Sequence, residues 1–409
     1  MGATLTTYAS ALKEHYPEPL IQEQLNHRAV ALWHLERKAK PFGGRQGEIP
    51  IHTGRNVGVG ARAENGTLPT AGNQGFAEST ISTKYNYARG EITGPSIARS
   101  RGDTYAFARI IDTEMRGAIA DLRQDCERQA FGDGSGVLTN VSVASTNLTT
   151  VTVSSVKYLA VGMLIDIELR SDGTNRAAGV SVDAIDATNK TISISAAATV
   201  ITTDSLYRKD SRNLEMMGFG GIAYNSDPED LNTTGVGVLQ GLDQATHSTW
   251  KASYFTNSGT DRSIGFEEIQ EAFDDVEILG SSYPNRLFSS HVVRRRLVRD
   301  EIVDKRYAQD MSPLELEAGF DWYRFGNIPL VPSKDCERAY NGDKGILYGI
   351  SLDEMALYED KPVGFLDYDG AILSRVSNKD AWEFTVAYYG EIATHKRNAH
   401  FAIIDIDDA

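Results

Sequence analysis

The sequence is poor in the residues that build cross-linked folds and metal centres. Its 409 residues contain two cysteines, Cys126 and Cys336, and eight scattered histidines. Two thiols cannot form a disulfide framework, and they indicate synthesis in a reducing compartment. No His-Glu-x-x-His or Cys-x-x-Cys motif occurs. We therefore predict no metal ligands and no catalytic residues, and we interpret Cys126 as a small core residue.

Long apolar runs are also missing. No stretch approaches the roughly 20 apolar residues that span a bilayer, and residues 1–19 lack the basic and apolar segments of a secretory signal. We therefore expect no membrane association. The formal net charge is −15. Because neutralisation of phosphates dominates affinity for nucleic acid, we expect only weak, non-specific contact with DNA.

A possible cofactor motif lies at residues 58–66, which read GVGARAENG. The glycine spacing matches a dinucleotide-binding fingerprint, and Glu78 follows where a ribose-binding acid would fall. The fingerprint requires a helix directly after it, because the helix N-terminus binds the pyrophosphate. Gly66, Pro69 and Gly72 oppose a helix there, so we predict no cofactor.

The same glycines fit the tip of a long loop. Residues 48–51 and 57–59 favour an extended chain, and residues 81–87 alternate in the period-two pattern of a strand. We predict a two-stranded ribbon whose glycines loosen its tip. An isolated ribbon is marginal in water, so it is expected to lean on a neighbouring subunit, with Arg62 and Glu64 as candidate contacts.

Helical patterns flank this ribbon. Residues 1–40 are amphipathic and slightly basic, which predicts a helical arm. Residues 103–131 carry apolar side chains at spacings of three and four, with Asp103 as a plausible N-cap. Gly132 and Gly134 mark the end of this helix. At 1.5 Å per residue the helix would be about 40 Å long, enough to cross a whole domain.

Residues 137–208 differ in composition from the rest of the chain. They are rich in Val, Ile, Ser, Thr and Ala, and they contain short alternating runs. Asp172-Gly173 and Thr188-Asn189 supply turn signals between the runs. The pattern predicts a small all-β module inserted after the long helix.

The remaining residues show a mixed α+β pattern. A helix is predicted between Ser263 and Gly280, a strand at 286–290 and a second helix at 291–307. Further strands are predicted at 346–350 and 354–358, with one long strand from 382 that continues toward 406. Arg294, Arg295, Arg296 and Arg299 cluster on the second helix, near Asp300, Glu301 and Asp304. We interpret them as members of intrahelical or intersubunit ion pairs.

The order of these elements resembles that of the major capsid proteins of tailed bacteriophages, which have the Hong Kong 97-type fold. The likeness covers nearly the whole chain and depends on order rather than on a short signature. The family's extended loop resembles GEIPIHTGRNVGVGARAENGTLPTAGNQGFAESTISTKYNYARGEITG, and its spine helix resembles DTYAFARIIDTEMRGAIADLRQDCERQAFGDGSG. The helix–strand–helix run of its axial domain resembles IGFEEIQEAFDDVEILGSSYPNRLFSSHVVRRRLVRDEI, and the strand that follows resembles FGNIPLVPSKD.

The resemblance implies an α+β fold with a small all-β insertion. Its parts would be an N-terminal arm (1–45), an extended β-hairpin loop (46–100), the spine helix of a peripheral domain (101–136), an inserted β-rich domain (137–208), an axial domain with its connections (209–375) and a C-terminal strand of the peripheral domain (376–409). Some relatives cross-link subunits through a lysine on the extended loop. Lys84 lies there, but no matching motif surrounds it, so we do not transfer that chemistry.

The resemblance also implies a function. The protein would be a major capsid protein, a structural and non-enzymatic subunit of an icosahedral phage head that encloses double-stranded DNA. It would be made in the cytoplasm of a host bacterium and incorporated into the virion. Its partners would be its own copies in hexamers and pentamers, a portal, a separate scaffolding protein and a decoration protein. The candidate intersubunit contacts are Arg62, Glu64, Lys84, Arg294, Arg295, Arg296 and Arg299.

Three alternatives remain open at this point. The first is an encapsulin-like compartment shell of the same fold. The second is an α/β enzyme with a glycine-rich lid at 58–76. The third is a β-rich surface adhesin, suggested by residues 137–208.

Overall fold

The computed structural model describes residues 29–95, 104–223, 238–280, 282–305, 323–336, 345–368 and 370–406. The α-helices of this part are α1 (Val30–Glu36), α2 (Thr104–Phe131), α3 (Phe219–Ala223), α4 (Phe266–Gly280) and α5 (His291–Lys305). A 3₁₀ turn spans Arg397–Ala399.

The strands of the described residues fall into five sheets. In chain order they are β1 (Lys40–Pro41), β2 (Gly47–Gly54), β3 (Gly75–Ile81), β4 (Lys84–Thr93), β5 (Val137–Val143), β6 (Ser145–Val153), β7 (Leu164–Leu169), β8 (Asn175–Asp186), β9 (Thr191–Val200), β10 (Asp204–Arg208), β11 (Val238–Leu239), β12 (Leu242–Asp243), β13 (Ser253–Phe255), β14 (Arg286–Ser289), β15 (Tyr323–Phe325), β16 (Ile328–Pro332), β17 (Gly345–Ile350), β18 (Met355–Phe365), β19 (Ser374–Arg375), β20 (Ala381–Thr394) and β21 (Phe401–Ile406).

The long helix α2 packs on a five-stranded sheet. Strand β20 lies at the centre of this sheet and pairs with β4, β18 and β19, while β1 extends the far side of β18. The apolar stripe of α2 buries Leu122, Cys126 and Ala130 against side chains of β20 such as Phe384 and Val386. The three-and-four periodicity of the sequence places these side chains on one helix face, and the predicted helix is confirmed.

A six-stranded sheet forms the second layer, in the order β13-β21-β17-β14-β16-β15. Successive side chains of a strand point to opposite faces. In β17, Leu347 therefore packs with α4 and α5, whereas Tyr348 packs on the other face with Phe131 of α2. Both predicted helices of this region and the strand at 286–289 are confirmed.

Strands β5–β10 close into a barrel in the order β10-β5-β6-β9-β8-β7. Its interior is an apolar cluster of its own, distinct from the clusters beneath the two sheets. Gly134 and Gly136 both adopt φ of +82°, a left-handed conformation that ends α2 and turns the chain into β5. The predicted turn at Asp172 is present, since its carboxylate accepts the Thr174 N–H at 2.8 Å.

The predicted strand at 81–87 is wrong. β3 ends at Ile81 and pairs with β2, whereas β4 begins at Lys84 and pairs with β20 along its whole length. The chain therefore changes sheets at Ser82-Thr83. Lys84 consequently lies in the five-stranded sheet rather than on the ribbon formed by β2 and β3.

The prediction of one long closing strand is also wrong. β20 ends at Thr394 in the five-stranded sheet, and the 3₁₀ turn at Arg397–Ala399 redirects the chain. β21 then lies between β13 and β17 in the six-stranded sheet. The predicted arm at residues 1–28 and the N-cap Asp103 lie outside the described residues.

Candidate functional site

The described part of the chain contains no group of three or more His, Cys, Asp or Glu side chains that could hold a metal ion. Both cysteines are buried, and burial raises the pKa of the Cys126 thiol well above its usual value. A thiol in that state is a poor nucleophile. Among the helices that the structure describes, none is long and apolar enough to cross a membrane. The candidate sites are instead two outward surfaces, the tip between β2 and β3 and the arginines of α5.

The ribbon of β2 and β3 carries three of the four most exposed large apolar side chains among the residues that the structure describes. Between its strands, residues 55–74 form an irregular tip. Val57, Val59 and Leu68 on this tip are between 81% and 87% exposed. Exposed apolar groups gathered on one projection are typical of a surface that a partner covers.

The glycines of the tip allow close backbone approach. A Cβ on Gly58 would lie 2.7 Å from the Thr70 carbonyl oxygen and 2.8 Å from the Gly72 nitrogen. Neither Gly58 nor Gly72 has a positive φ. Gly58 and Gly72 let the two sides of the loop lie in contact, and a loosened tip stays a prediction.

The candidate contacts on the tip and on β4 have different environments. The Arg62 Nε donates to the Thr67 carbonyl at 2.8 Å, so its side chain braces the tip from within. Glu64 is exposed. The Lys84 Nζ donates to the Asn213 carbonyl at 3.1 Å, which links β4 to the segment that follows the barrel.

The ribbon is fixed by the chain that follows α3. The Thr80 N–H donates to the Gln240 carbonyl at 2.8 Å, and the Thr249 hydroxyl donates to the Thr53 carbonyl at 3.0 Å. Thr80 pairs with Glu48 at the end of the ribbon away from the tip, whereas Thr53 lies next to the tip. The tip therefore projects from a ribbon that is anchored at both ends.

The arginines of α5 form the second predicted surface. Arg295 and Arg299 are exposed, while Arg294 and Arg296 are half-buried. Arg296 and Arg299 each have an interaction partner. The side chains of Asp300, Glu301 and Asp304 lie outside the described set, so the predicted intrahelical pairs stay a prediction.

A buried ion network joins α2 to the barrel, and the sequence did not reveal it. Arg128 of α2 pairs with Asp125 at 3.1 Å and with Glu215, which follows the barrel. Arg208, at the end of β10, pairs with Asp125 at 2.9 Å. Burial alone would raise the pKa of Asp125, but Arg128 and Arg208 outweigh it and hold that pKa well below its usual value. The network fixes the barrel to the long helix.

A second buried carboxylate connects α1 to α2. Glu127 is fully buried, and its two carboxylate oxygens accept the backbone N–H groups of Val30, Ala31 and Leu32 at 2.8–2.9 Å. It thereby satisfies the first N–H groups of α1, which have no partner within the helix. Glu127 is next to Arg128 in the chain, so this part of α2 contacts both the arm and the barrel.

The comparisons with known proteins identify the architecture. No protein-family model and no curated protein matches the chain. Among solved structures, the capsid asymmetric unit of cyanophage A-1(L) matches with a TM-score of 0.62 and 13% identity, over 98% of this chain and 99% of that one. The chain has the Hong Kong 97-type capsid fold.

The Hong Kong 97-type fold also occurs in a second kind of shell among these neighbours. The holo-SrpI encapsulin complex from Synechococcus elongatus PCC 7942 matches with a TM-score of 0.50 and 8% identity, over 100% of this chain and 97% of that one. At sequence identities of 13% and 8%, the likeness shows a shared fold alone.

Proposed function

We propose that this protein is a major capsid protein of a tailed bacteriophage, which assembles into hexamers and pentamers of an icosahedral head around double-stranded DNA. The observation that carries the proposal is the end-to-end match to a cyanophage capsid subunit, which covers nearly all of both chains. The role is structural rather than enzymatic. The protein is made in the bacterial cytoplasm and incorporated into the virion.

The parts of the fold have corresponding roles in this proposal. α2 lies within the segment 101–136 and is the spine helix, and residues 46–81 supply the extended loop. The barrel at 137–208 is an inserted domain, which the ion network of Arg128 holds against the spine helix. The six-stranded sheet with α4 and α5 forms the axial domain, and β21 belongs with it because it pairs there with β13 and β17.

The extended loop supports contacts between copies. Its paired strands are anchored to their own subunit by the bonds of Thr80 and Thr249, while its tip exposes apolar side chains that no described residue covers. A neighbouring subunit beneath the tip would remove these groups from water. A portal, a separate scaffolding protein and a decoration protein are the further partners of such a shell. Contact with the packaged DNA is weak, since the chain carries a net charge of −15.

A second candidate is an encapsulin-like compartment that encloses cargo proteins. The match to the Synechococcus encapsulin favours it. The two functions differ in what the particle contains. Absorbance at 260 nm and nuclease-resistant DNA from purified particles would indicate a phage head, whereas co-purifying cargo protein without DNA would indicate a compartment.

The extended loop provides the test of assembly. Because Gly58 and Gly72 already lie in contact, deletion of residues 59–71 joins the two sides of the loop without stretching the ribbon. We expect a folded subunit, judged by circular dichroism, that forms no shells in negative-stain electron microscopy. Normal shells from this deletion would contradict the proposal.

A subtler variant controls for the deletion. Changing Val57, Val59 and Leu68 to serine should reduce shell yield without altering the thermal unfolding temperature, because these side chains are exposed in the subunit. The matched control changes three exposed apolar residues of the barrel, Val143, Leu148 and Val161, to serine. This control should assemble as the wild type does.

A further inference from the structure

We infer that copies of this chain contact each other head to tail through the outward face of α4 on one copy and the first half of α5 on the next. The inference rests on the proposed function, which requires repeated contacts between identical subunits. Beyond that function, it names the two surfaces that meet and the opposite charges that match them.

The two helices lie on one face of the six-stranded sheet, over different halves. α4 packs on β13 and β21, with Ile269 and Phe273 in the shared core. α5 packs on β16 and β17, with Val293 and Leu297 in the same core. Each helix buries one side against the sheet and presents the other side to solvent. The two outward faces are therefore different surfaces of one layer, and a contact between different surfaces of identical subunits is heterologous.

The outward face of α4 is acidic and partly apolar. Glu267, Glu271, Asp274 and Ile278 follow each other at spacings of four and three, so they form one stripe along the helix. Together with Phe266 they line a single open groove. Phe266 is 64% exposed and Ile278 is 81% exposed. Large exposed apolar side chains within a charged stripe distinguish this face from an ordinary solvated helix surface.

The charge of α4 has one sign. Its sequence FEEIQEAFDDVEILG contains six acidic residues and no basic residue. Neither Glu267 nor Glu271 forms an ion pair with a described side chain of its own chain. The intrahelical repulsion of such acids is unfavourable, and a basic partner surface would relieve it.

The first half of α5 has the opposite charge. Residues 291–299 read HVVRRRLVR, with four arginines and no acid. Arg294 and Arg295 form no ion pair with a described side chain of the same chain. Arginine presents a planar group that binds carboxylates in a bidentate manner. The geometry therefore offers donors on α5 that match the acceptors on α4.

The overall charge of the chain makes this match selective. Copies with a net charge of −15 repel each other, so a contact between two acidic regions is disfavoured. Complementary charges fix the register of an interface, and like charges placed opposite each other cost several kcal/mol. A basic helix face on an acidic subunit is accordingly the surface on which an acidic helix of the next copy can lie.

Charge reversal tests the inference on the full-length chain. The double variant Arg294→Glu with Arg295→Glu should reduce the yield of capsomers and shells about tenfold or more, measured by sedimentation velocity and electron microscopy. The double variant Glu267→Arg with Glu271→Arg should reduce it similarly. The quadruple variant that combines both pairs should recover most of the wild-type yield, because each reversed face then meets a reversed partner.

The recovery separates a lost contact from a misfolded subunit. Lys251→Glu with Arg375→Glu is the matched control, since both residues are exposed, lie outside the two faces and give the same change in net charge as the arginine reversal. This control should assemble normally. The inference is overturned if either reversal alone assembles as the wild type does, or if the quadruple variant assembles no better than the two doubles.

Two further outcomes bear on nucleic-acid binding and on the proposed function. If the arginine reversal forms normal shells that no longer retain DNA, the face binds nucleic acid and the inference is wrong. If the wild-type chain itself forms no oligomers, the proposed function fails, and the contact between copies fails with it. If the wild type and the charge-reversal variants all assemble, the proposed function stands and only the contact between α4 and α5 is wrong.

Discussion

Replacing Glu127 with glutamine tests how α1 is held to the long helix α2. In the native chain one carboxylate oxygen accepts the N–H groups of Val30 and Ala31, and the other accepts that of Leu32. Glutamine keeps the first acceptor and places an NH₂ group opposite the Leu32 N–H. One buried donor then loses its acceptor, which costs about 1–3 kcal/mol.

The pH dependence of this cost follows from the pKa of Glu127. Burial raises that pKa to about 7 from its ordinary 4.5, although the three N–H groups favour the carboxylate. Since the native pKa lies above the unfolded one, ionisation removes stability as the pH rises from 4.5 through 7. Linkage gives a loss of about 2.5 kcal/mol between pH 5 and pH 8.5. Glutamine does not titrate, so the free energy of unfolding of Glu127→Gln does not show this loss.

The assay is urea unfolding of the unassembled full-length chain, followed by tryptophan fluorescence, at pH 5 and pH 8.5. Subtracting the wild-type free energy of unfolding from that of Glu127→Gln cancels every other titrating group. We expect this difference to shift by about 2.5 kcal/mol in favour of the variant between pH 5 and pH 8.5. The exposed Glu48→Gln is the control and should show no such change. A difference that is equal at both pH values would refute the reasoning.

Three further predictions concern the packing and the buried charges. Gly349→Ala should lower the free energy of unfolding by about 1–3 kcal/mol, because its Cβ would overlap the ring of Phe401. Gly117→Ala in α2 is the control, since nothing lies within 4 Å of the added Cβ. It should raise the free energy of unfolding by about 0.5–1 kcal/mol in the same urea assay. Arg128→Met should lower it by about 3–5 kcal/mol, since the buried Glu215 loses its partner and Asp125 keeps only Arg208, and unchanged urea midpoints would contradict this. Burial lowers the pKa of His400 to about 3, so the free energy of unfolding should fall as the pH drops from 6.5 toward 3. His400→Gln should reduce that fall by about 3 kcal/mol between pH 7 and pH 4. An equal fall in both proteins would argue against this prediction.

The sequence allowed the elements with strong local periodicity to be predicted. α2 buries Leu122, Cys126 and Ala130 at spacings of four, and both the helix and its glycine end were predicted from that pattern. The all-β module at 137–208 was predicted in the same way, because the alternation of its strands is set by one buried and one exposed face. The order of these elements then indicated the fold.

The partners of the strands could not be predicted from local pattern. Residues 75–81 and 84–93 have the same alternation, yet they pair with β2 and β20 in different sheets. The same holds for β20 and β21. Alternation records which side chains are buried, but it does not record which strand lies alongside. A short interruption such as Ser82-Thr83 therefore looks like a minor irregularity in the sequence.

The buried polar contacts were missed for a related reason. Glu127 is 95 to 97 residues from the N–H groups that it binds, and Arg208 is 83 residues from Asp125. In the sequence these residues look like ordinary charged positions on a solvated helix. The one available signal was their place beside the apolar stripe of α2, where a charge must be paired to be buried.

The most direct test of the account is the assembly state of the full-length protein. Sedimentation velocity and cryo-electron microscopy of the purified chain should show hexamers and pentamers, or closed icosahedral shells built from them. A chain that stays monomeric at every concentration, in the presence of its host's lysate as well as in buffer, would contradict the proposal that it is a capsid subunit.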